Sequence, residues 1–262
     1  MLRLLLFLPI GFVLSSCSSQ TKDSIQNSEI QNDTSKIRVS LLGDSFKGDF
    51  RLSTKGNYVQ TKADIGKLRQ SYTKHYKSLS KAKQAKYLDT VNEYFVNLLL
   101  NDLIPYWYGT DWDFNGISPN PGKGSIACGY FVSTTLRHMG IQVNRYKLAQ
   151  QGGTNEAKTL ALANSSSYWK RIRSKYKKLE DMFTHVKDGL YFVGLDNHVG
   201  YFYKRGASMY FINSDYYVDK VVGDTIEESE VFSSQLYVFA NISHNRDLMK
   251  KWLLQEIVKV VQ

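Results

Sequence analysis

Residues 189–213 decide the fold and read GLYFVGLDNHVGYFYKRGASMYFIN. Gly189 to Leu195 and His198 to Tyr203 are two apolar and aromatic runs separated by a tight polar turn. A third run, Ser208 to Asn213, follows the turn at Arg205-Gly206. Aromatic and β-branched residues between turn residues predict strands, and turns this short join antiparallel neighbours. The stretch therefore predicts an antiparallel meander with His198 at a strand edge, facing a helix packed on the sheet.

Amphipathic helices precede and follow this meander. Apolar side chains recur at helical spacing in residues 80–101, in the segment that starts at Cys128, and again near the C-terminus. The positions are Tyr87, Leu88, Val91, Tyr94, Phe95, Leu98 and Leu99, then Phe131, Val132, Thr135, Leu136 and Met139, and finally Leu248, Trp252, Leu253, Ile257 and Val260. Residues 145–186 carry further helical sequence. We predict an α+β domain over residues 46–262, in which an antiparallel sheet packs against helices.

One thiol stands out because it has no partner for a disulfide. The chain has two cysteines, Cys17 and Cys128, and Cys17 is assigned below to lipid attachment. Residues 118–125 contain two prolines and two glycines and are expected to form a loop, so Cys128 lies at or near a helix N-terminus. Unpaired amide groups and the positive end of the helix dipole favour thiolate there, which a nucleophilic cysteine requires. A small buried core residue is the alternative interpretation.

A thiolate nucleophile needs a proton carrier, and His198 is the candidate among five histidines. It opens a strand, and Asn213 at the end of the adjacent strand is positioned to fix the imidazole tautomer. Asn213 is equally typical of a plain turn residue, and a nearby aspartate is the alternative third group. The other histidines are expected to be structural or solvated, namely His75, His138, His185 and His244.

The order and context of these residues resemble those of the NlpC and p-sixty cell-wall peptidases, a papain-like family. The resemblance covers about residues 100–240 and rests on Pro105-Tyr106-Trp107-Tyr108-Gly109, Ala127-Cys128-Gly129-Tyr130-Phe131-Val132 and Asn197-His198-Val199-Gly200-Tyr201-Phe202. It implies a papain-like fold with Cys128 as the nucleophile and His198 as the general base and then acid. By the same resemblance, Asn213 orients the imidazole, and Tyr106 helps the backbone amide of Cys128 to stabilise the oxyanion.

The implied reaction is hydrolysis of an amide bond in peptidoglycan peptides through an acyl-enzyme. An acyltransferase or a deamidase on the same fold is one alternative, and a catalytically silent lipoprotein that binds the cell wall is another. Aromatic residues are dense just before the nucleophile, so Trp107, Tyr108 and Trp112 either wall a substrate cleft or brace the loop as a packed cluster. No cofactor or metal is expected, because the sequence has no zinc spacing, P-loop or dinucleotide fingerprint.

The N-terminus has the layout of an export signal. Arg3 precedes an apolar run that ends in Leu14-Ser15-Ser16-Cys17, which resembles the lipobox of bacterial lipoproteins. We expect residues 1–16 to be a signal peptide, Cys17 to carry a lipid, and residues 17–45 to be a polar tether. An ordinary secretion signal with a chance cysteine is the alternative. The expected location is the bacterial cell envelope, lipid-anchored on the periplasmic or extracellular face of a membrane.

The composition is that of a globular chain with a basic surface. Of its 262 residues, 42% are hydrophobic and 22% charged, which excludes collagenous, disordered and multispan membrane chains. The formal net charge is +10, so we expect a monomer that meets peptidoglycan or another anionic envelope polymer. Because the chain is exported, no nucleic-acid partner is expected. The basic run from Lys170 to Lys178 is expected to be a solvated helix face or a docking site for such a polymer.

Overall fold

Six antiparallel strands form one sheet in the computed structural model, which describes residues 56–162, 167–175 and 178–262. The strands are β1 (Tyr168–Ile172), β2 (Gly189–Gly194), β3 (Val199–Arg205), β4 (Ser208–Asp215), β5 (Lys220–Thr225) and β6 (Leu236–Asn241), and their order in the sheet is β1-β6-β2-β3-β4-β5. The meander predicted from residues 189–213 is confirmed as β2, β3 and β4, each paired with the next. The α+β class is confirmed as well.

Helices cover one face of the sheet. They are α1 (Tyr58–Ser78), α2 (Lys81–Asn97), α3 (Cys128–His138), α4 (Arg145–Ala149), α5 (Gly153–Leu160) and α6 (Arg246–Leu254). Asparagine side chains cap three of them by accepting backbone N–H bonds, at Asn57 for α1, Asn144 for α4 and Asn245 for α6. The helix expected at residues 80–101 continues past α2 as a π-helical turn, Leu98–Leu103, and a 3₁₀ turn, Ile104–Tyr106.

The opposite face of the sheet is buried too. Aromatic side chains on this face pack under two short segments, around Phe183 and around Phe232. The rings that meet there are Tyr191, Phe202, Phe211, Tyr237 and Phe239. Because both faces are covered, the central strands are buried along nearly their whole length, as their continuous apolar runs require.

Two elements differ from the expectation. The C-terminal helix ends at Leu254, because Gln255 adopts a left-handed conformation with φ +57°, and Ile257 instead bridges to Gln142. The basic run from residue 170 begins in strand β1, paired with β6, and not in a helix. β1 is an edge strand, and its Lys170 and Ile172 are exposed. A solvated lysine on an edge strand discourages pairing with a strand of another molecule. In the described part of residues 145–186, the helical expectation holds for α4 and α5, and two 3₁₀ turns follow, Arg173–Lys175 and Glu180–Met182.

Several expectations lie outside the described residues, namely the signal peptide at 1–16, lipid attachment at Cys17, the tether at 17–45 and the start of the domain at 46–55. None of the helices in the described ranges is both long enough and apolar enough to cross a membrane.

Candidate active site

Helix α3 begins at Cys128. The preceding residue, Ala127, has no side-chain oxygen, so the N-cap position offers no side-chain cap to the first backbone N–H groups of α3. Gly129 allows the helix start to approach the end of α4, since a Cβ at this position would lie 2.8 Å from the carbonyl oxygen of Ala149. This close approach fixes the position of the helix start, which carries Cys128, against the end of α4.

Hydrogen bonds hold α3 against the sheet. The Tyr201 hydroxyl on β3 lies 2.8 Å from Thr135 Oγ1 and donates to the backbone oxygen of Val132 over 3.2 Å. On β4, Ser214 donates to the backbone oxygen of Ile126 over 2.6 Å, two residues before the thiol. These contacts bring the start of α3 to the ends of β3 and β4.

The sulfur of Cys128 faces backbone N–H groups from two elements. Those of Gly129 and of Cys128 itself belong to the helix start, and that of Val199 belongs to β3, directly after His198. All three lower the pKa of the thiol, as a helix N-terminus should. Burial is the larger effect and raises the pKa above its ordinary value, with a further increase from the buried carboxyl of Glu156. The expected thiolate is therefore corrected: the half-buried resting group is a neutral thiol.

His198 and Asn213 meet as the sequence suggested. The His198 side chain is buried, and its Nε2 lies 2.8 Å from Asn213 Oδ1. Because an amide oxygen can only accept, Nε2 carries the proton and donates, which leaves Nδ1 of the neutral ring as an acceptor. Burial lowers the pKa of His198 to about 4, against a smaller upward effect of Asn213. At neutral pH the imidazole is therefore a neutral base of fixed tautomer.

The alternative third group, a nearby aspartate, lies behind Asn213. Asp215 is buried and accepts hydrogen bonds from the backbone N–H groups of Tyr217, over 2.7 Å, and Val218, over 3.3 Å. Burial raises the pKa of Asp215, and the nearby Asn213 amide lowers it by a smaller amount. The Nδ2 atom of Asn213 has no full hydrogen bond within the described residues. Asn213 is thus the residue that contacts the imidazole, and Asp215 shapes the turn that follows β4.

The expected cleft residues Trp107 and Tyr108 are corrected. Trp107 is fully buried and donates its indole N–H to the hydroxyl of Tyr58 over 2.8 Å. The Tyr108 hydroxyl is also buried, which raises its pKa strongly. For these two residues the packed-cluster alternative is the one observed, because Trp107 is enclosed in the core and the partly buried Tyr108 packs against it.

The ring of Tyr216 lies between Trp112 and His198 and connects the two. The Trp112 indole is partly exposed and lies 5.9 Å from the ring of Tyr216, whose centroid is 5.4 Å from that of His198. Tyr217 extends this aromatic surface and is exposed. Sequence reasoning missed both tyrosines, although the doublet Tyr216-Tyr217 directly after the third strand was a visible signal.

Tyr106 is corrected as an oxyanion residue. Its hydroxyl lies 3.0 Å from Thr61 Oγ1, and its ring packs 5.3 Å from that of Tyr58. Tyr58 in turn contacts the ring of His138, in the last turn of α3. Cys128 begins the same helix, and ten rises of about 1.5 Å put about 15 Å between the two ends. The contacts of Tyr106 are therefore at the opposite end of α3 from the sulfur.

Glu156 is a buried charge-bearing group that the sequence did not single out. It lies in the first turn of α5 and is 1% exposed, and its Oε2 has no hydrogen-bond partner within the described ranges. Burial raises the pKa of its carboxyl well above the ordinary value and so favours the protonated form. No cluster of three or more His, Cys, Asp or Glu residues suited to a metal ion occurs in the part of the chain that the structure describes.

Comparison with known proteins leaves these residues as the only guide to function. No protein-family model matches the chain, and no curated protein and no solved structure matches it either.

Proposed function

We propose that the chain is a thiol hydrolase that cleaves an amide bond, with Cys128 as the nucleophile, His198 as the base and Asn213 as the orienting residue. One observation carries the proposal: the sulfur faces the backbone N–H of Val199, next to a histidine whose Nε2 is bound by Asn213 at 2.8 Å. Acyl transfer needs a nucleophile, a base that takes its proton and a third group that orients the base, and the proposed residues supply these three roles.

The proposed reaction begins from a neutral pair, because the thiol pKa is raised and the imidazole pKa is lowered. As the sulfur attacks the carbonyl carbon, its proton passes to Nδ1 of His198 and the carbonyl π electrons move to oxygen. The helix-start N–H groups offer donors for this oxyanion. The C–N bond then breaks and His198 protonates the leaving amine. Water, deprotonated by His198, hydrolyses the thioester and restores the thiol.

The proposed substrate is the peptide part of peptidoglycan. Trp112 and Tyr216 form an aromatic surface beside His198 on which a sugar or peptide face can stack. The net charge of +10 suits the anionic polymers of a cell envelope. The papain-like architecture and the lipid anchor at Cys17 belong to the same proposal, since they are implied by resemblance.

A second candidate is a catalytically silent lipoprotein that binds the cell wall through the same surface. The observation in its favour is the raised pKa of Cys128, since a protonated, half-buried thiol is a weak nucleophile unless a base assists it. The two candidates differ in whether the imidazole activates the sulfur.

Alkylation of Cys128 by iodoacetamide tests that difference. At pH 7.5, we expect His198→Ala to lower the alkylation rate constant at least tenfold and Asn213→Ala to lower it less. His185→Ala is the matched control, because His185 is exposed and lies outside the site, and it should alkylate at the wild-type rate. Equal rates in wild type and His198→Ala would favour the silent binding protein.

Digestion of purified peptidoglycan identifies the bond. Mass analysis of the released muropeptides should show cleaved peptides with wild type and none with Cys128→Ala. Products joined to an added amine would instead identify an acyltransferase. An unchanged muropeptide profile, together with His198-dependent alkylation, would retain the thiol chemistry and overturn the assignment of the substrate.

A further inference from the structure

A basic cavity opens at the other end of α3 from Cys128. Its volume is about 650 Å³, and it is lined by Lys62, Arg137, His138, Val143, Asn144, Arg145 and Tyr146. Three of these side chains are permanent cations and one is an imidazole, whereas none of the lining residues is acidic. The cations come from α1, α3 and α4, so the tertiary fold gathers them from three separate helices.

Within the described ranges, the contacts found for these cations are with neutral groups. Lys62 Nζ lies 5.0 Å from the centre of the Tyr58 ring, and Arg137 donates to the side-chain oxygen of Gln142 over 2.8 Å. Both partners are neutral. Burial lowers the pKa of Lys62, which is the effect expected of an ammonium group that lacks a nearby anion.

Arg145 is held in place by neutral groups. Its guanidinium donates to Thr134 Oγ1, over 2.8 Å, and to the Ile117 oxygen and the Tyr146 hydroxyl, each over 3.0 Å. It also lies 4.4 Å from the centre of the Tyr146 ring. A cation fixed in this way loses little further entropy when it meets an anion.

His138 adds an imidazole to the cavity wall. The Trp107 indole donates to the Tyr58 oxygen, and the same oxygen is hydrogen-bonded to His138 Nδ1, each over 2.8 Å. This bond fixes the ring through Nδ1. Burial, and then the charges of Lys62, Arg145 and Arg137, lower the pKa of His138 to about 4.

We propose that this cavity binds a doubly charged tetrahedral oxyanion, the chemistry of a phosphate group. Three cations from three directions exceed what one carboxylate would neutralise, and guanidinium and phosphate match in geometry. A bound dianion would also offset the charges that act on His138, so binding should favour the imidazolium and become tighter as pH falls. The site is separate from the proposed thiol chemistry and does not depend on it.

Sulfate is the first probe, because it remains a dianion between pH 5.5 and 7.5. By calorimetry at low ionic strength, we expect Lys62→Gln/Arg137→Gln to weaken sulfate binding at least tenfold. The matched control, Lys250→Gln/Lys259→Gln, removes the same charge from two exposed lysines outside the cavity and should change the affinity less than twofold. Equal losses in the two double variants, or acetate binding as tight as sulfate, would overturn the proposal.

The pH dependence gives a second readout. Sulfate should bind several-fold more tightly at pH 5.5 than at pH 7.5, and His138→Gln should remove this difference. An affinity that is independent of pH in wild type would rule out His138 as part of the site. Binding to a soluble phosphomonoester, compared with phosphatidylcholine vesicles that contain or lack phosphatidic acid, then separates a free phosphate group from a lipid headgroup.

Discussion

Acid should unfold this protein partly through the imidazole of His198. The ring is 3% exposed and its pKa is lowered from 6.5 to about 4 in the fold. In the unfolded chain the same ring takes up a proton near pH 6.5, so the unfolded state binds more protons between these two values. The stabilising effect of the neutral ring is therefore complete above pH 6.5 and is lost progressively as pH falls toward 4.

The size of this effect follows from the two pKa values. Each tenfold difference in proton affinity corresponds to about 1.4 kcal/mol of unfolding free energy. For a pKa of 6.5 in the unfolded chain and about 4 in the fold, the loss is about 1 kcal/mol by pH 5.5 and about 3 kcal/mol by pH 4.5. The ring is almost wholly buried, so solvent screening reduces this value little.

Urea unfolding at pH 7.5, 5.5 and 4.5 measures the effect. His198→Gln keeps a side chain that can bond Asn213 but does not titrate, so its stability should fall less with acid than that of wild type, by about 3 kcal/mol at pH 4.5. His185→Gln removes an exposed imidazole and should follow the wild-type curve. Parallel curves for wild type and His198→Gln would refute a buried neutral ring and, with it, the proposed starting state of the reaction.

Four further predictions concern stability and the site. Glu156→Gln should gain stability relative to wild type as pH rises above about 4.5, because the carboxyl ionises there in the unfolded chain but keeps its proton to higher pH in the fold. Urea midpoints measure this, and a difference that is constant with pH would contradict it. Gly129→Ala should destabilise the fold by about 1–3 kcal/mol in urea, because the new Cβ meets the Ala149 oxygen, whereas Gly66→Ala, a helical control with open space, should stabilise it by about 0.4–1 kcal/mol. Trp107→Phe should cost about 1–3 kcal/mol of stability by leaving the buried Tyr58 hydroxyl without its indole donor. Trp112→Ala should slow peptidoglycan digestion with a smaller loss of stability, and the opposite pattern in these two variants would reverse their assigned roles.

The meander and the main helices were predictable because their signals are local. Turn residues at Asp196-Asn197 and Arg205-Gly206 separate runs that can form strands, and residues three and four apart on a helix share a face whatever the rest of the chain does. The same local logic failed at Ile257, whose spacing fits α6. A left-handed Gln255 ends the helix before it, and the chain then bridges to Gln142 in a distant segment. Such a tertiary bridge has no counterpart in the periodicity.

The aromatic residues around the site were less predictable from the sequence than the pair at its centre, His198 and Asn213. His198 directly precedes β3 and Asn213 lies on the neighbouring strand β4, so their meeting follows from the pairing of these two strands. Trp107 and Trp112 look alike in sequence, yet one is enclosed by the core and the other contacts Tyr216 beside His198. Burial of an aromatic residue in a loop depends on which elements close over it, and no spacing rule encodes that.

The protonation state of Cys128 shows why a local argument about reactivity is incomplete. A helix N-terminus stabilises a charge by about 0.3–1 kcal/mol at an exposed site, and the amide groups of Cys128 and Gly129 do lower the thiol pKa. Removing the sulfur from water acts in the opposite direction and outweighs them. The helix alone therefore cannot supply a resting thiolate. In the proposed reaction, proton transfer to His198 during the attack supplies the driving force, so alkylation of Cys128 should depend more on His198 than on the helix start.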